Sequence, residues 1–249
     1  MRIDNLREQL RILIAGIALV TQIAIPVIAY ADNPDAMPES PVYAETAHSG
    51  FVLQPDQNPD HAHQKDSASL EHIDRPESRS DNISALSHWS ALLRRFEAPL
   101  HSTTPISSGI AAWREKIQDL KKLSPHEQIE SVNDFMNKVP YVDDQKRYGA
   151  DGYWGATPER FFSGGGDCKD YALVKYASLR ALGFSPEQLR ITVVMDMTKN
   201  ILHAILIVKE SGDAYVLDNQ ARNIESIADV HRYQPIFAVN SRSWWKYAG

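Results

Sequence analysis

The sequence has 249 residues, of which 43% are hydrophobic and 23% charged, proportions that exclude a fibrous or wholly disordered chain. Lys and Arg number 26 against 32 Asp and Glu, a formal net charge of −6, so no large basic field is present and nucleic acid is excluded as the expected partner. The single cysteine, Cys168, excludes an intramolecular disulfide and is either an apolar filler or a working thiol.

Residues 1–31 read as a signal peptide. Arg2, Arg7 and Arg11 outnumber Asp4 and Glu8, an uncharged apolar stretch runs from Ile12 to Ile28, and Ala29-Tyr30-Ala31 has the small-x-small form of a cleavage site. A retained membrane anchor is the other reading, weakened by Thr21, Gln22 and Pro26. Residues 32–82 are rich in Pro, Asp, His, Ser and Gln with scattered apolar residues, and read as a disordered linker. Its His48, His61, His63 and His72 lack a Cys or spaced carboxylates to complete a metal site and read as a solvated tail.

Residues 83–249 then form one domain with a core of its own. Leu86, Trp89, Leu93 and Phe96 recur at helical spacing, as do Ile110, Trp113, Ile117 and Leu120. Ser124-Pro125-His126-Glu127 is a capping box with Pro at the first helical position, leading a helix that Pro140 closes. The stretch from Tyr141 to Asp167 reads as one long functional loop, kept ordered by Tyr153, Trp154, Phe161 and Phe162. After Ser163-Gly164-Gly165-Gly166, a further helix begins at Cys168 with Asp167 as its N-cap and stops at Gly183. Arg190 to Asp196 and Ile201 to Val208 read as a hairpin turned through Thr198-Lys199-Asn200, followed by strands at Ala214–Leu217 and Pro235–Val239. Helices followed by an antiparallel sheet give an α+β domain.

A thiol at a helix N-terminus meets free N–H donors and positive potential, which lower its pKa and favour the nucleophilic thiolate. The neighbouring glycines, Gly165 and Gly166 among them, would let a substrate backbone approach closely. His203 interrupts the apolar run Ile201 to Ile207, and Asp218, ending the next strand, can partner it. At this stage a structural His–Asp pair and a buried inert cysteine stand beside a catalytic arrangement.

The order Cys, His, Asp and the local sequence resemble the bacterial transglutaminase-like cysteine proteinases. The resemblance runs from about Trp113 onward and is carried by Tyr153-Trp154-Gly155-Ala156-Thr157-Pro158, Gly165-Gly166-Asp167-Cys168-Lys169-Asp170-Tyr171-Ala172, Leu202-His203-Ala204 and Val216-Leu217-Asp218-Asn219. It implies a papain-like, transglutaminase-like fold and a Cys168, His203, Asp218 triad that hydrolyses a peptide bond through a thioester. The oxyanion donors it implies are the Cys168 N–H and a group on the Tyr153-Trp154 segment, so Trp154, Gly165 and Gly166 are expected at the substrate cleft. It further implies a periplasmic enzyme acting on a large secreted biofilm adhesin near an Ala-Ala site, controlled by an inner-membrane cyclic-di-GMP receptor.

Several members bind calcium through an Asp-Cys-Glu-Asp pattern around the nucleophile. Asp167 and Asp170 are the corresponding candidate ligands here, but Lys169 stands in place of the Glu, removing a ligand and adding a repelling charge, which counts against calcium. Acyl transfer to an amine, as a transglutaminase or amidase, and a non-catalytic binding module are the alternative functions.

Overall fold

The computed structural model describes residues 73, 76, 78–102, 107–144 and 156–247. After a first short strand come the helices: α1 (Ser87–His101), α2 (Ser108–Leu120), α3 (Pro125–Asn137), a short α4 (Pro158–Gly164) and α5 (Cys168–Ala181). The strands are β1 (Ser78–Ser80), β2 (Leu189–Asp196), β3 (Ile201–Glu210), β4 (Asp213–Leu217), β5 (Glu225–Ser226), β6 (Tyr233–Val239) and β7 (Trp244–Lys246). They form one antiparallel sheet in the order β1-β7-β6-β2-β3-β4-β5. The α+β class is as expected.

Local chemistry sets the element boundaries. α3 starts on the capping box, with Glu127 N–H donating to Ser124 Oγ at 3.4 Å and Ser124 N–H donating to Glu127 Oε2 at 2.9 Å. α5 ends in a Schellman motif: Gly183 takes φ +102°, its N–H donates to the Arg180 carbonyl at 3.1 Å, and the Phe184 N–H donates to Leu179 at 3.0 Å. Between β3 and β4, Ser211 (φ 52°) and Gly212 (φ 94°) supply the two left-handed residues of a tight hairpin turn.

α5 is buried nearly all round, because it packs on β3 while α1 and α3 flank it. Trp113 of α2 reaches it through an Nε1–H bond to Ser178 Oγ at 2.8 Å. The main core joins these helices to one face of the sheet through Leu189, Ile191, Val193, Leu206, Val208 and Leu217. Alternation sends Val194, Ile205, Ile207, Val216 and Tyr233 to the other face, where they form a second core with Ile73, Val230 and Trp245.

Three expectations change. The folded domain begins before residue 83: β1 pairs with β7 in the register Ser78↔Lys246, and Ile73 is 2% exposed in the second core. The Ile73 carbonyl accepts from Arg190 Nη1 at 2.7 Å and from the Tyr247 hydroxyl at 2.9 Å, so the end of the expected linker has a buried docking place. Within the expected long loop, residues 158–164 are helical, because Thr157 caps the Arg160 N–H at 3.2 Å and Pro158 sits at the first turn. β7 was not expected. The signal peptide and most of the linker, residues 1–72 including its four histidines, lie outside the described residues.

Candidate active site

Cys168 is the first residue of α5, and Asp167 is its N-cap as expected. Asp167 Oδ1 accepts from the Lys169 N–H at 3.2 Å, and Asp170 Oδ2 reaches back to the Asp167 N–H at 3.1 Å. These bonds fix the helix end that carries the thiol. α5 rests on β3, whose Ala204 N–H acts on the Cys168 thiol to lower its pKa. β4 pairs with β3 only from Leu206 onward, so the part of β3 holding His203 and Ala204 has no strand beside it on that edge.

The residue before Ala204 is His203, 3% exposed. Its Nε2 lies 2.8 Å from Asp218 Oδ1, which assigns the ring proton to Nε2 and leaves Nδ1 as an acceptor. Nδ1 faces the Gln220 side-chain amide at 3.2 Å. Continuing the β3–β4 register puts Asp218 opposite Ile205, so the pair is diagonal on one face and the imidazole spans the two-residue offset.

Asp218 is fully buried and saturated with donors. Besides His203, its Oδ1 accepts from the Gln220 N–H at 2.9 Å, and its Oδ2 accepts from the Tyr233 hydroxyl at 2.6 Å and Arg232 Nη2 at 3.4 Å. Burial alone would raise this carboxyl, but the bonds from His203, Tyr233 and Gln220 outweigh it and hold it well below the usual carboxylate range. Arg232 is itself held by Glu225, with Nη1 at 3.0 Å from Oε1. Asn137 of α3 fixes the chain just past β4, donating to the carbonyls of Asp218 at 2.9 Å and Ala221 at 3.0 Å.

The thiol departs from the expected lowered pKa. Burial and the adjacent Asp167 push Cys168 up to about 12, against the opposite pull of the Ala204 N–H and Lys169. The helix N-terminus is present, but its benefit is outweighed where a carboxylate caps it and protein packs around the half-buried thiol. Cys168 therefore rests as the thiol.

Gly165 and Gly166 are both buried, and their lack of a side chain serves the protein itself. A Cβ on Gly165, which has φ +82°, would stand 2.2 Å from the Pro140 carbonyl oxygen, and one on Gly166 would stand 2.5 Å from Asp170 Oδ2. The expected reason for these glycines, approach of a substrate backbone, gives way to close packing of the helix entry against the segment after α3. Gly166 also bridges in parallel to Tyr141, with the Val142 N–H donating to its carbonyl at 2.9 Å. Trp154 lies outside the described residues.

Beside Cys168, Asp144, Asp167 and Asp170 bring carboxylate oxygens within 4.8 Å of one another. The ammonium of Lys169 lies among them, paired with Asp144 Oδ2 and, at 2.8 Å, with Asp167 Oδ2. Burial would lower this amine, but Asp170, Asp167 and the bonds to Asp144 and Asp167 raise it above its ordinary value, so it is charged. The donor set does not fit a divalent cation as it stands, because an ammonium already takes an oxygen from each of two carboxylates. Lys175, seven residues after Cys168, is a second buried amine; it donates to Asn133 Oδ1 at 2.7 Å, and burial pulls it down to about 7 against the charge of Asp218.

The sequence singles out Cys168, His203 and Asp218 but not Asp144, Gln220, Arg232 or Tyr233, which the fold places around them. The Asp143-Asp144 doublet is the local signal for Asp144. Arg232 and Tyr233 are brought to Asp218 by the return of β6 beside β2, whereas Gln220 lies two residues past Asp218 and bonds it locally.

Comparison with known proteins adds a family and close structural likenesses. The family model described as bacterial transglutaminase-like cysteine proteinase BTLCP matches residues 112–246. The solved structure of Legionella pneumophila LapG is similar at 29% identity and a TM-score of 0.52, over 62% of this chain and 85% of that one. Its calcium-bound form matches at 29% identity and a TM-score of 0.51, over 62% of this chain and 87% of that one. Its EGTA-treated form matches at 29% identity and a TM-score of 0.52, over 63% of this chain and 86% of that one. Among curated proteins there is no match.

Proposed function

The chain belongs to the bacterial transglutaminase-like cysteine proteinases and is a cysteine protease, and from that premise we propose that it is a periplasmic endopeptidase cutting a secreted or surface protein with a Cys168, His203, Asp218 triad. The observation that carries this reading is the buried 2.8 Å His203–Asp218 pair, with His203 on β3, the strand against which the helix opening with Cys168 packs.

His203 Nδ1 takes the thiol proton as Sγ attacks the scissile carbonyl carbon. The resulting imidazolium is stabilised by Asp218, which keeps its charge because its donors favour the ionised form. Nδ1–H then protonates the leaving amine, giving a thioester and a free amino terminus. Water, deprotonated by the same Nδ1, hydrolyses the thioester and returns the thiol. For the oxyanion the Cys168 N–H is the available donor at the helix start, since the Lys169 and Asp170 N–H groups are turned to the side chain and carbonyl of Asp167. A thiol that starts protonated makes proton transfer to His203 part of the attack.

The basic n-region, apolar stretch and Ala29-Tyr30-Ala31 support export, with the mature chain starting at Asp32 in the periplasm. The family resemblance supports a large biofilm adhesin as substrate, cut near an Ala-Ala site, and an inner-membrane cyclic-di-GMP receptor as controller. The test is incubation of the purified protein with envelope proteins of its own bacterium and mass spectrometry of the new termini. Termini produced by the wild type and missing with Cys168→Ala are expected. Amine cross-links without new termini would establish acyl transfer instead, and neither product from a folded wild type would favour a binding module.

A further inference from the structure

Lys169 lies where two features of the site meet. It is the second residue of the helix that opens with the nucleophile, and its Nζ sits inside the only cluster of three carboxylates found among the described residues. The ion pairs are sheltered: the Lys169 and Asp144 side chains are 10% and 5% exposed, and Asp167 is 14% exposed. Asp144 comes from the segment after α3 and Asp167 from the helix cap, so this one ammonium ties two separate pieces of chain together beside Cys168. A calcium ion in such a place would do the same work, drawing carboxylates from both segments around one positive centre.

We propose that the Lys169 ammonium is a tethered cation that takes the place of a divalent metal beside the nucleophile, so that the Asp144, Asp167, Asp170 cluster is complete without calcium. Charge supports the exchange. In formal charge, a glutamate at position 169 would make four carboxylates, which a divalent ion would leave at minus two; the three carboxylates present, with one ammonium, also leave a formal minus two. To enter, calcium would have to expel a buried ammonium and still collect six to eight oxygens, where the cluster offers three carboxylates. Lys169 is thus a positioning residue. It orders the helix start and the Asp144 segment, and it makes that order independent of the ions around the protein.

The test needs no substrate, so it stands apart from the proteolytic reading. The full mature chain is stripped with EGTA and dialysed, then examined by thermal melting and calorimetry with calcium chloride. The wild type is expected to melt within about 1 °C of the same temperature with and without 1 mM calcium and to give no binding heat. A calcium dissociation constant in the low micromolar range or tighter, or a rise of several degrees, overturns the proposal. In the variant Lys169→Glu, melting in EGTA should fall by roughly 5 °C or more, and calcium should restore most of that loss with measurable heat. A Lys169→Glu protein that folds but ignores calcium overturns it equally; should that variant not be recovered, the wild-type measurements decide alone.

Discussion

Lys175→Met is the sharpest test of the electrostatics inside α5. The amine is fully buried, donates to Asn133 alone among the described hydrogen bonds, and is pulled from 10.5 to about 7 by burial. At about 1.4 kcal/mol per pH unit, that fall corresponds to roughly 5 kcal/mol of stability forgone once the lysine is charged in the folded state. Between pH 7 and 10.5 the unfolded chain binds this proton and the folded chain does not. Wild-type stability should therefore climb with pH across that window and be lowest, in this respect, below pH 7. Methionine fills nearly the same space without the charge, but strands the Asn133 amide oxygen at about 1–3 kcal/mol. The sum changes sign: near pH 6 the variant should be more stable than wild type by roughly 2–4 kcal/mol, and near pH 10 it should be less stable. Urea unfolding at both pH values reads this directly, and the difference between the proteins removes the titrations they share. A difference in unfolding free energy that stays constant from pH 6 to 10 would refute the reasoning.

Cys168→Ala and His203→Ala should each abolish production of new termini while leaving circular dichroism unchanged, since a nucleophilic unit fails as a whole. Asp218→Asn should lose roughly 10²- to 10⁴-fold in kcat/KM, because the amide can still accept from His203 but no longer offsets the imidazolium charge. Asp218→Ala leaves the donors of His203, Tyr233 and Arg232 facing a void and should lower unfolding free energy by about 3–5 kcal/mol. Because the Asp218 carboxyl is held low, its stabilisation is fully present above the ordinary carboxylate pKa and disappears as pH falls below it; in acid titrations Asp218→Asn should lack that share of the decline. Removing all residues before 83 should lower the melting temperature by several degrees, since burying Ile73 alone is worth about 2–3 kcal/mol, whereas a chain starting at residue 67 should melt like the full one.

The sequence carried the long periodic helices, the hairpins and the proposed triad of Cys168, His203 and Asp218, because each rests on local chemistry: 3.6-residue spacing, a capping box, a lone histidine in an apolar run. What it did not carry was decided at a distance. Thr157-Pro158 is a helix start, but the seven residues of α4 are too few to show a period. Tyr233 and Arg232 reach Asp218 because β6 and the segment before it fold back beside β2, a register with no trace in either segment alone. The same limit explains the thiol. Its place at a helix start was legible, yet its pKa depends on burial and on Asp167, which push it the other way. Glycines beside a nucleophile invited a substrate-based explanation, when their neighbours are Pro140 and Asp170 of the protein itself.

The docking of Ile73 also changes how the domain must come apart. Its carbonyl is gripped by Tyr247, and β1 lies against β7, so the two extremities of the folded unit, 174 positions apart in sequence, are fastened to each other. A chain with one cysteine has no covalent bridge to close such a loop. Here hydrogen bonds and a buried isoleucine close it, and the closure is reversible. Nibbling from either extremity then meets a strand whose partner is the opposite extremity, so fraying at one end exposes the other. Assembly of the sheet likewise waits for residues 244–247, which makes late synthesis or late delivery of that segment the moment at which this edge of the fold can lock.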